Sequence, residues 1–128
     1  MRLVLDTHSL LWFIMGDGRL SGKARTIIED IDNHVLISAG SLWEIAIKVN
    51  IGKLRLLRSY EEFFPAELQK NAIEVLPIRH EDLAVLVNLP LHHRDPFDRL
   101  IIAQAISENI AIATKDGAFR DYEVQIIW

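Results

Sequence analysis

The chain has 128 residues, about half of them hydrophobic and a quarter charged, which suits one domain with its own buried core. It contains no cysteine, so disulfides and thiolate metal sites are excluded. The net charge of −4 argues against a passive nucleic-acid binder, which usually carries a basic surplus, but not against an enzyme whose acidic centre is neutralised by a metal ion.

The first half of the chain alternates short apolar runs with segments of helical periodicity. Its predicted elements are, in chain order, a strand at Arg2–Leu5, a helix that ends around Gly16–Gly18, a helix capped by Ser21 through about Ile31, a strand at His34–Ser38 and a helix from Ser41 to about Asn50. Asp6 and His8 interrupt the apolar N-terminus, which is also too short to cross a bilayer. We therefore expect no membrane segment and a cytoplasmic location.

The second half continues this alternation and contains the most apolar helix of the chain. Its predicted elements are a helix over Tyr60–Asn71 that Pro65 kinks or splits, a strand at Ile73–Leu76, a short helix over Glu81–Val87, a helix over Pro96–Asn109, a strand at Ala111–Thr114 and an edge strand at Val124–Ile127. Because apolar residues lie almost all round the Pro96–Asn109 helix, we expect other elements to cover it.

Short apolar strands that alternate with helices predict an α/β fold. We expect a central, mostly parallel sheet of about four to five strands with helices on both faces, formed by residues 1–128 as a single domain. In such sheets, ligands bind at the carboxyl ends of the strands, near a switch in strand order. Side chains that directly follow strands are therefore the first candidates for a functional site.

Five acidic residues lie at predicted strand or helix ends, and each also has a structural explanation. Asp6 can cap the helix after the first strand, and Asp116 begins an Asp-Gly turn after the fourth strand. Glu44 stands at the capping-box position of its helix. Asp95 can cap the most apolar helix, and Asp98 lies in the first turn of that helix. None of the five is a site residue on its own evidence.

What these explanations leave open is why four of the acids share one edge of the sheet. Asp6 and Asp116 follow strands, and Glu44 and Asp98 are expected in the first turns of helices at the same edge. Two carboxylates about 4 Å apart repel by about 4 kcal/mol at an effective dielectric of about 20, and a helix dipole offsets only about 0.3–1 kcal/mol. A hard cation, Mg²⁺ or Mn²⁺, matches such oxygen ligands and would lower the pKa of a water for phosphodiester hydrolysis.

Four segments, LVLDTHSLLW, SLWEIAIK, DPFDRLIIAQA and IATKD, resemble in this order and spacing the PIN-domain ribonucleases, and in particular the VapC-type toxins of toxin–antitoxin pairs. The resemblance covers essentially the whole chain. It places the family's metal-binding and catalytic acids on Asp6, Glu44, Asp98 and Asp116. It implies a three-layer α/β/α fold and a Mg²⁺- or Mn²⁺-dependent endoribonuclease that acts on RNA, forms a homodimer and is inhibited by a cognate antitoxin.

Several neighbouring residues have roles that the sequence leaves open. Thr7 and Thr114 could orient carboxylates by hydrogen bonds, as residues behind metal ligands often do, but backbone capping explains them equally well. Asp95 belongs to the local HRDPFDR segment and is interpreted as a helix cap or an outer residue of the metal site. Lys48 and Arg94 are the cations that we expect to contact RNA.

The histidines and tryptophans are less informative at this stage. His92 and His93 could contact RNA, although loop histidines often have no role in a site. Trp12 and Trp43 are expected in the core or at an interface with an antitoxin or a second copy, rather than as platforms for bases.

Two other function classes compete with the nuclease. The first is a PIN-like module that has lost catalysis and binds a partner or RNA; loss of one acid would mark it, and all four are present. The second is a phosphoryl-accepting receiver-like domain, which the Thr-Lys pair near the C-terminus suggests. That class needs a pair of acids after its first strand, whereas Asp6 stands alone before Thr7.

Overall fold

The fold was analysed in a computed structural model that describes all 128 residues. Its centre is a sheet of five strands, all parallel, in the order β3-β2-β1-β4-β5. The strands are β1 (Arg2–Leu5), β2 (His34–Ser38), β3 (Ile73–Leu76), β4 (Ala111–Ala113) and β5 (Ile126–Ile127). The predicted parallel sheet and its strand number are thus confirmed.

Seven α-helices and one 3₁₀ helix connect the strands. The α-helices are α1 (Thr7–Met15), α2 (Gly22–Glu29), α3 (Ala39–Asn50), α4 (Tyr60–Phe63), α5 (Ala66–Lys70), α6 (His80–Val87) and α7 (Pro96–Glu108). The 3₁₀ helix spans Gly117–Asp121, a segment for which the sequence predicted only a turn. None of the helices combines the length and the apolar character that a bilayer crossing requires.

Alternating strand residues build a core on each face of the sheet. On one face, Leu3 and Leu5 pack with residues of α1 to α5. On the other face, Val4 packs with α7 and with Phe119 and Tyr122. The molecule therefore has three layers, and α7 is buried along most of its length, as its apolar sequence predicts.

One predicted helix boundary agrees with the structure, and another differs from it in a way that matters for the site. Pro65 separates α4 from α5, which agrees with the predicted split. Helix α3 begins at Ala39 and is capped by the Ser38 hydroxyl, which accepts the Gly40 N–H at 3.1 Å, so the prediction of a start at Ser41 is wrong. Glu44 consequently lies in the second turn of α3, and its interpretation as the acid of a capping box is wrong.

The strand order places a switch point between β1 and β4. From β1 the chain adds β2 and β3 on one side, and then crosses back to add β4 on the other side. The helices that follow β1 and β4 leave the sheet in different directions there, which opens a crevice at the carboxyl ends of these strands. Asp6 follows β1 directly, and Asp116 lies three residues after Ala113, so both are at this crevice.

Candidate active site

Asp6 connects the ends of the two central strands. Its Oδ1 accepts the Ser9 N–H at 2.8 Å, so the carboxylate caps α1. Its Oδ2 accepts the Thr114 hydroxyl at 2.6 Å, and the same hydroxyl oxygen accepts the backbone N–H of Asp116 at 3.0 Å. Asp6 therefore caps α1 and also lines the crevice. The Thr114 side chain connects the Asp6 carboxylate to the backbone of Asp116.

The first turn of α7 brings two more carboxylates to the crevice. Asp95 Oδ1 accepts the N–H groups of Phe97 and Asp98 at 2.9 and 3.0 Å, so Asp95 is the N-cap that the Asp-Pro sequence predicts. The Asp98 carboxylate accepts no backbone N–H; its Oδ2 lies 3.1 Å from His93 Nε2, and its side chain is 23% exposed. The two acids of the DPFD segment thus have separate environments.

Asp98 carries the strongest electrostatic signal of the site. Its pKa is raised to about 7, first because burial disfavours the charged form and then because of the negative charge of Asp95. His93 opposes this rise, while Asp6 and Glu44 add to it. Acids on two other elements, Asp6 after β1 and Glu44 in α3, therefore act electrostatically on Asp98.

His93 lies between two of the predicted acids. Its Nε2 is 3.1 Å from Asp98 Oδ2 and 3.0 Å from Asp116 Oδ2. The backbone N–H of Asp95 donates to its Nδ1 at 3.2 Å, so in the neutral ring the proton belongs on Nε2, where it faces both carboxylates. The ring of Phe119 packs edge-on at 5.4 Å between centroids. The His93 ring is thus fixed in an orientation in which Nε2–H can donate to Asp98 and Asp116.

Glu44 enters the site from α3 and is 7% exposed. The Thr7 hydroxyl donates to Glu44 Oε1 at 2.7 Å and lies 3.0 Å from Ser41 Oγ. Lys48 Nζ is 2.9 Å from Glu44 Oε2, the ion pair expected from a spacing of four residues on a helix. Thr7 therefore holds a carboxylate in place and does not cap the backbone, and the Lys48 amine is already paired with a site acid.

The structure brings the predicted acids to one edge but gives the predicted RNA-contact residues different positions. One ligand atom each from His93, Asp98 and Asp116 lies within 4.8 Å of the others. Arg94, next to this group in sequence, is exposed and makes no side-chain hydrogen bond or ion pair. It is a free cation at the rim.

Sequence reasoning missed the residues that support the loop before α7. Tyr122 accepts the His93 N–H at 2.8 Å and donates its hydroxyl to the Pro90 carbonyl at 2.7 Å. The Arg99 guanidinium donates to the Pro90, His93 and Leu89 carbonyls at 3.0 to 3.3 Å. The only sequence signal for His93 was its place two residues before a helix cap, in HHRDPFDR.

The donor set fits a hard divalent cation. Aspartate and glutamate oxygens are the ligands that Mg²⁺ and Mn²⁺ prefer, and four such residues border this crevice. The pKa of Asp98 is raised first by its burial and then by the negative charge of neighbouring acids, although His93 opposes the rise. A divalent cation bound at this edge would supply positive charge where these carboxylates converge.

Comparison with known proteins agrees with this geometry. The model of the PIN domain family matches residues 3–125. Ribonuclease VapC16 of Mycobacterium tuberculosis is 32% identical over 62 residues, which are 48% of this chain and 44% of that protein, so the match spans less than half of the relative's length.

Solved structures share the fold at low sequence identity. The VapBC2 complex of Rickettsia felis, bound to a promoter DNA fragment, matches with a TM-score of 0.74, 17% identity and coverage of 98% of this chain and 97% of that chain. FitAcB of Neisseria gonorrhoeae matches with a TM-score of 0.67, 20% identity and coverage of 97% and 95%. At these identities the likeness supports the fold, and the family model supports membership.

Proposed function

The chain belongs to the PIN domain family, and from this membership and its carboxylate cluster we propose that it is a Mg²⁺- or Mn²⁺-dependent endoribonuclease that hydrolyses RNA phosphodiester bonds. The observation that carries the proposal is the convergence of carboxylates at one edge of the sheet: Asp98 Oδ2 and Asp116 Oδ2 lie 3.1 and 3.0 Å from His93 Nε2, and Thr114 links Asp116 to Asp6. Acids crowded without matching cations are costly to fold, and a metal-dependent reaction explains why the fold brings them together.

In this proposal Asp6, Glu44, Asp98 and Asp116 hold the metal ion. A divalent cation bound there supplies Lewis acidity, which neutralises phosphate charge and lowers the pKa of water. Thr7 is the positioning residue for the Glu44 carboxylate, and Thr114 is the positioning residue for the Asp6 carboxylate. The Thr114 hydroxyl oxygen also accepts the backbone N–H of Asp116. The two hydroxyls donate to one oxygen each of Glu44 and Asp6 and thereby fix the orientation of these two carboxylates.

His93 has a different role from the acids in this proposal. A metal ligand needs a free lone pair on the ring nitrogen, whereas Nε2 carries the proton as long as Nδ1 accepts the Asp95 N–H. We therefore assign His93 as a hydrogen-bond donor that competes with the cation for Asp98 and Asp116. It reduces the repulsion between these two acids without binding the metal itself.

The partners follow from the relatives and from the surface. VapBC complexes are among the structural neighbours, so we propose that this chain is the toxin of such a pair and that a cognate antitoxin and a second copy bind it. Trp43 and Ile47 of α3 and Ile51, directly after its end, are spaced four residues apart and remain exposed, which supports a protein contact on this helix. A cytoplasmic location stays a prediction.

The direct test is cleavage of a labelled single-stranded RNA by the purified chain, with Mn²⁺ and with EDTA. We expect cleavage only with the metal, and we expect Asp6→Asn to reduce the rate at least about 100-fold because a ligand and a helix-facing charge are lost together. Asp32→Asn is the matched control, since Asp32 is exposed and far from the crevice.

Two results would contradict the proposal. Cleavage by Asp6→Asn at the parent rate would show that this carboxylate cluster takes no part in the reaction. A folded parent chain that cuts no RNA in Mn²⁺, free of any antitoxin, would favour the alternative of a catalytically silent module that binds RNA or a protein.

A further inference from the structure

A cleft of about 350 Å³ adjoins the acids on the side of α1. Six residues line it, and only one of them is hydrophobic: Asp6, His8, Trp12, Arg19, Lys115 and Asp116. The volume lies at the lower end of small-molecule sites, which span about 300–1,000 Å³, and is suited to one nucleotide but not to a folded segment. Because Asp6 and Asp116 belong to both, the cleft is continuous with the proposed metal site.

The walls of the cleft offer planar groups for stacking. His8 and Trp12 are four residues apart on α1 and therefore lie on the same face, with ring centroids 5.7 Å apart and planes inclined by 31°. The guanidinium carbon of Arg19 lies 5.1 Å from the centroid of the Trp12 ring. Unpaired bases stack on aromatic rings and on guanidinium planes of this kind.

Arg19 is held in position by Asp17. The pair forms two parallel hydrogen bonds, from Nη2 to Oδ2 at 2.7 Å and from Nε to Oδ1 at 3.1 Å, and the Arg19 backbone N–H also donates to Asp17. These bonds from Arg19 lower the pKa of Asp17 to about 2. The guanidinium is thus ordered over Trp12 before any ligand arrives, which reduces the entropy lost on binding.

The charges of the cleft complete a nucleotide site. Lys115 lies between Thr114 and Asp116, is exposed, and makes no ion pair, so its amine is available for a phosphate oxygen. The core of a protein–protein interface is depleted of charged residues, whereas four of the six lining residues here carry a charge. The lining therefore favours a nucleotide over a peptide.

We propose that this cleft binds the base of an unpaired RNA nucleotide next to the scissile phosphate, with His8, Trp12 and Arg19 as stacking partners and Lys115 as a phosphate contact. This inference rests on the proposed nuclease function and names its substrate as single-stranded RNA. The stacked base would place the following phosphodiester at Asp6 and Asp116, so the cleft selects which bond is cut.

The test measures the dissociation constant of a short fluorescein-labelled single-stranded RNA by anisotropy, in EDTA so that no cleavage occurs. His8→Ala and Arg19→Ala, both at exposed positions, are each expected to raise the dissociation constant on the order of 10-fold. Trp12→Phe retains the core packing of this position and should give a smaller rise. Arg25→Ala is the matched control, because Arg25 also lies over an aromatic ring, that of Phe13, and is paired with an acid, Glu29, but lies outside the cleft.

A second substrate identifies what the cleft binds. An RNA that lacks the base beside the cleavage point should bind the parent chain as weakly as the intact RNA binds Arg19→Ala. The Arg19→Ala variant should bind this abasic RNA only slightly more weakly than it binds the intact RNA. If Arg19→Ala weakens both RNAs equally, or a duplex binds as tightly as the single strand, base stacking in the cleft is wrong. If the variants lose antitoxin binding but retain RNA binding, a protein occupies the cleft and the inference is also wrong.

The failure of this inference differs from the failure of the proposed function. If the parent chain cleaves RNA in Mn²⁺ while His8→Ala and Arg19→Ala bind and cut as the parent does, only the nucleotide cleft is wrong. If the parent chain neither binds nor cuts RNA, the nuclease proposal fails and the cleft loses its substrate with it.

Discussion

The two ends of helix α7 carry the same type of charge in opposite surroundings. At its N-terminal end, Asp98 lies near other carboxylates and one imidazole, and its pKa is raised. At its C-terminal end, Glu108 is paired with Arg79 at 3.0 Å and with Arg2 at 3.3 Å. The first end has more acids than cations, and the second has a guanidinium for each acid.

Asp82 shows what an acid with a structural role looks like in this chain. It is fully buried, yet its Oδ2 accepts the Arg79 backbone N–H at 2.8 Å and its Oδ1 is 3.3 Å from the Arg79 guanidinium. The hydrogen bond with Asp82 is the main cause of the raised pKa of Arg79. Burial of an acid therefore does not by itself indicate a functional site. Burial of an acid beside other acids that lack paired cations does indicate one.

The largest effect is expected from Asp98→Asn. Cleavage in Mn²⁺ should fall at least about 100-fold because a charged metal ligand is lost. In EDTA the variant should be more stable than the parent, by on the order of 1–3 kcal/mol at pH 8, because ionising Asp98 in the folded protein is unfavourable.

The pH dependence of this gain follows from the sign of the shift. The folded pKa of about 7 exceeds the ordinary value of 3.8, so the parent's stability from this group is complete below about pH 4 and is lost as the pH rises through 7. The difference in unfolding free energy between variant and parent should thus be larger at pH 8 than at pH 5, by thermal unfolding in EDTA. A difference that shrinks with rising pH would contradict this account of Asp98.

Asp82→Ala should have the opposite effect from Asp98→Asn: it should lower the stability and leave cleavage unchanged. It removes the acceptor of the Arg79 N–H at the start of α6 and a partner of the guanidinium, so we expect a loss of about 1–3 kcal/mol in the free energy of unfolding. Cleavage per folded molecule should remain at the parent level, because this cluster lies at the opposite end of α7. Denaturant unfolding measures the loss of stability, and the RNA cleavage rate is measured well below the denaturation midpoint. A lower cleavage rate of the folded variant would show that the two ends of α7 are coupled.

The smallest effect is expected from His93→Ala, and it is measured by metal binding. If His93 competes with the cation for Asp98 and Asp116, removing it should tighten Mn²⁺ binding several-fold in calorimetry. His92→Ala is the control, since the His92 ring packs on Tyr122 and contacts no carboxylate. Weaker Mn²⁺ binding by His93→Ala would instead make His93 a ligand and overturn its assignment as a donor.

Much of the fold could be predicted because local chemistry decides it. The apolar strand runs, Pro65 as a break, and the Asp-Pro start of α7 act through backbone geometry and burial within a few residues, and the structure agrees with them. The edge position of Asp6 and Asp116 followed in the same way, since acids within three residues of the end of a parallel strand lie near the carboxyl end of the sheet.

The site residues that were misread depend on contacts between distant segments. Glu44 matched a capping box from Ser41, but packing started α3 earlier and turned Glu44 toward Thr7 on another helix. His93 looked like a loop residue until the fold placed Asp116 beside it. Trp12 was expected in the core or at an interface; it packs against the core and also lines the cleft with Arg19.

By itself, the sequence determined the parallel α/β architecture, the caps of α1 and α7 and the edge at which the acids collect, because periodicity, capping and strand ends are local properties of the chain. Only the tertiary structure decided which acids share a charge environment, which histidine faces them and which side of the crevice carries the stacking groups. Those outcomes depend on distances between segments up to 108 residues apart, such as Thr114 and Asp6, and no local pattern encodes such a distance.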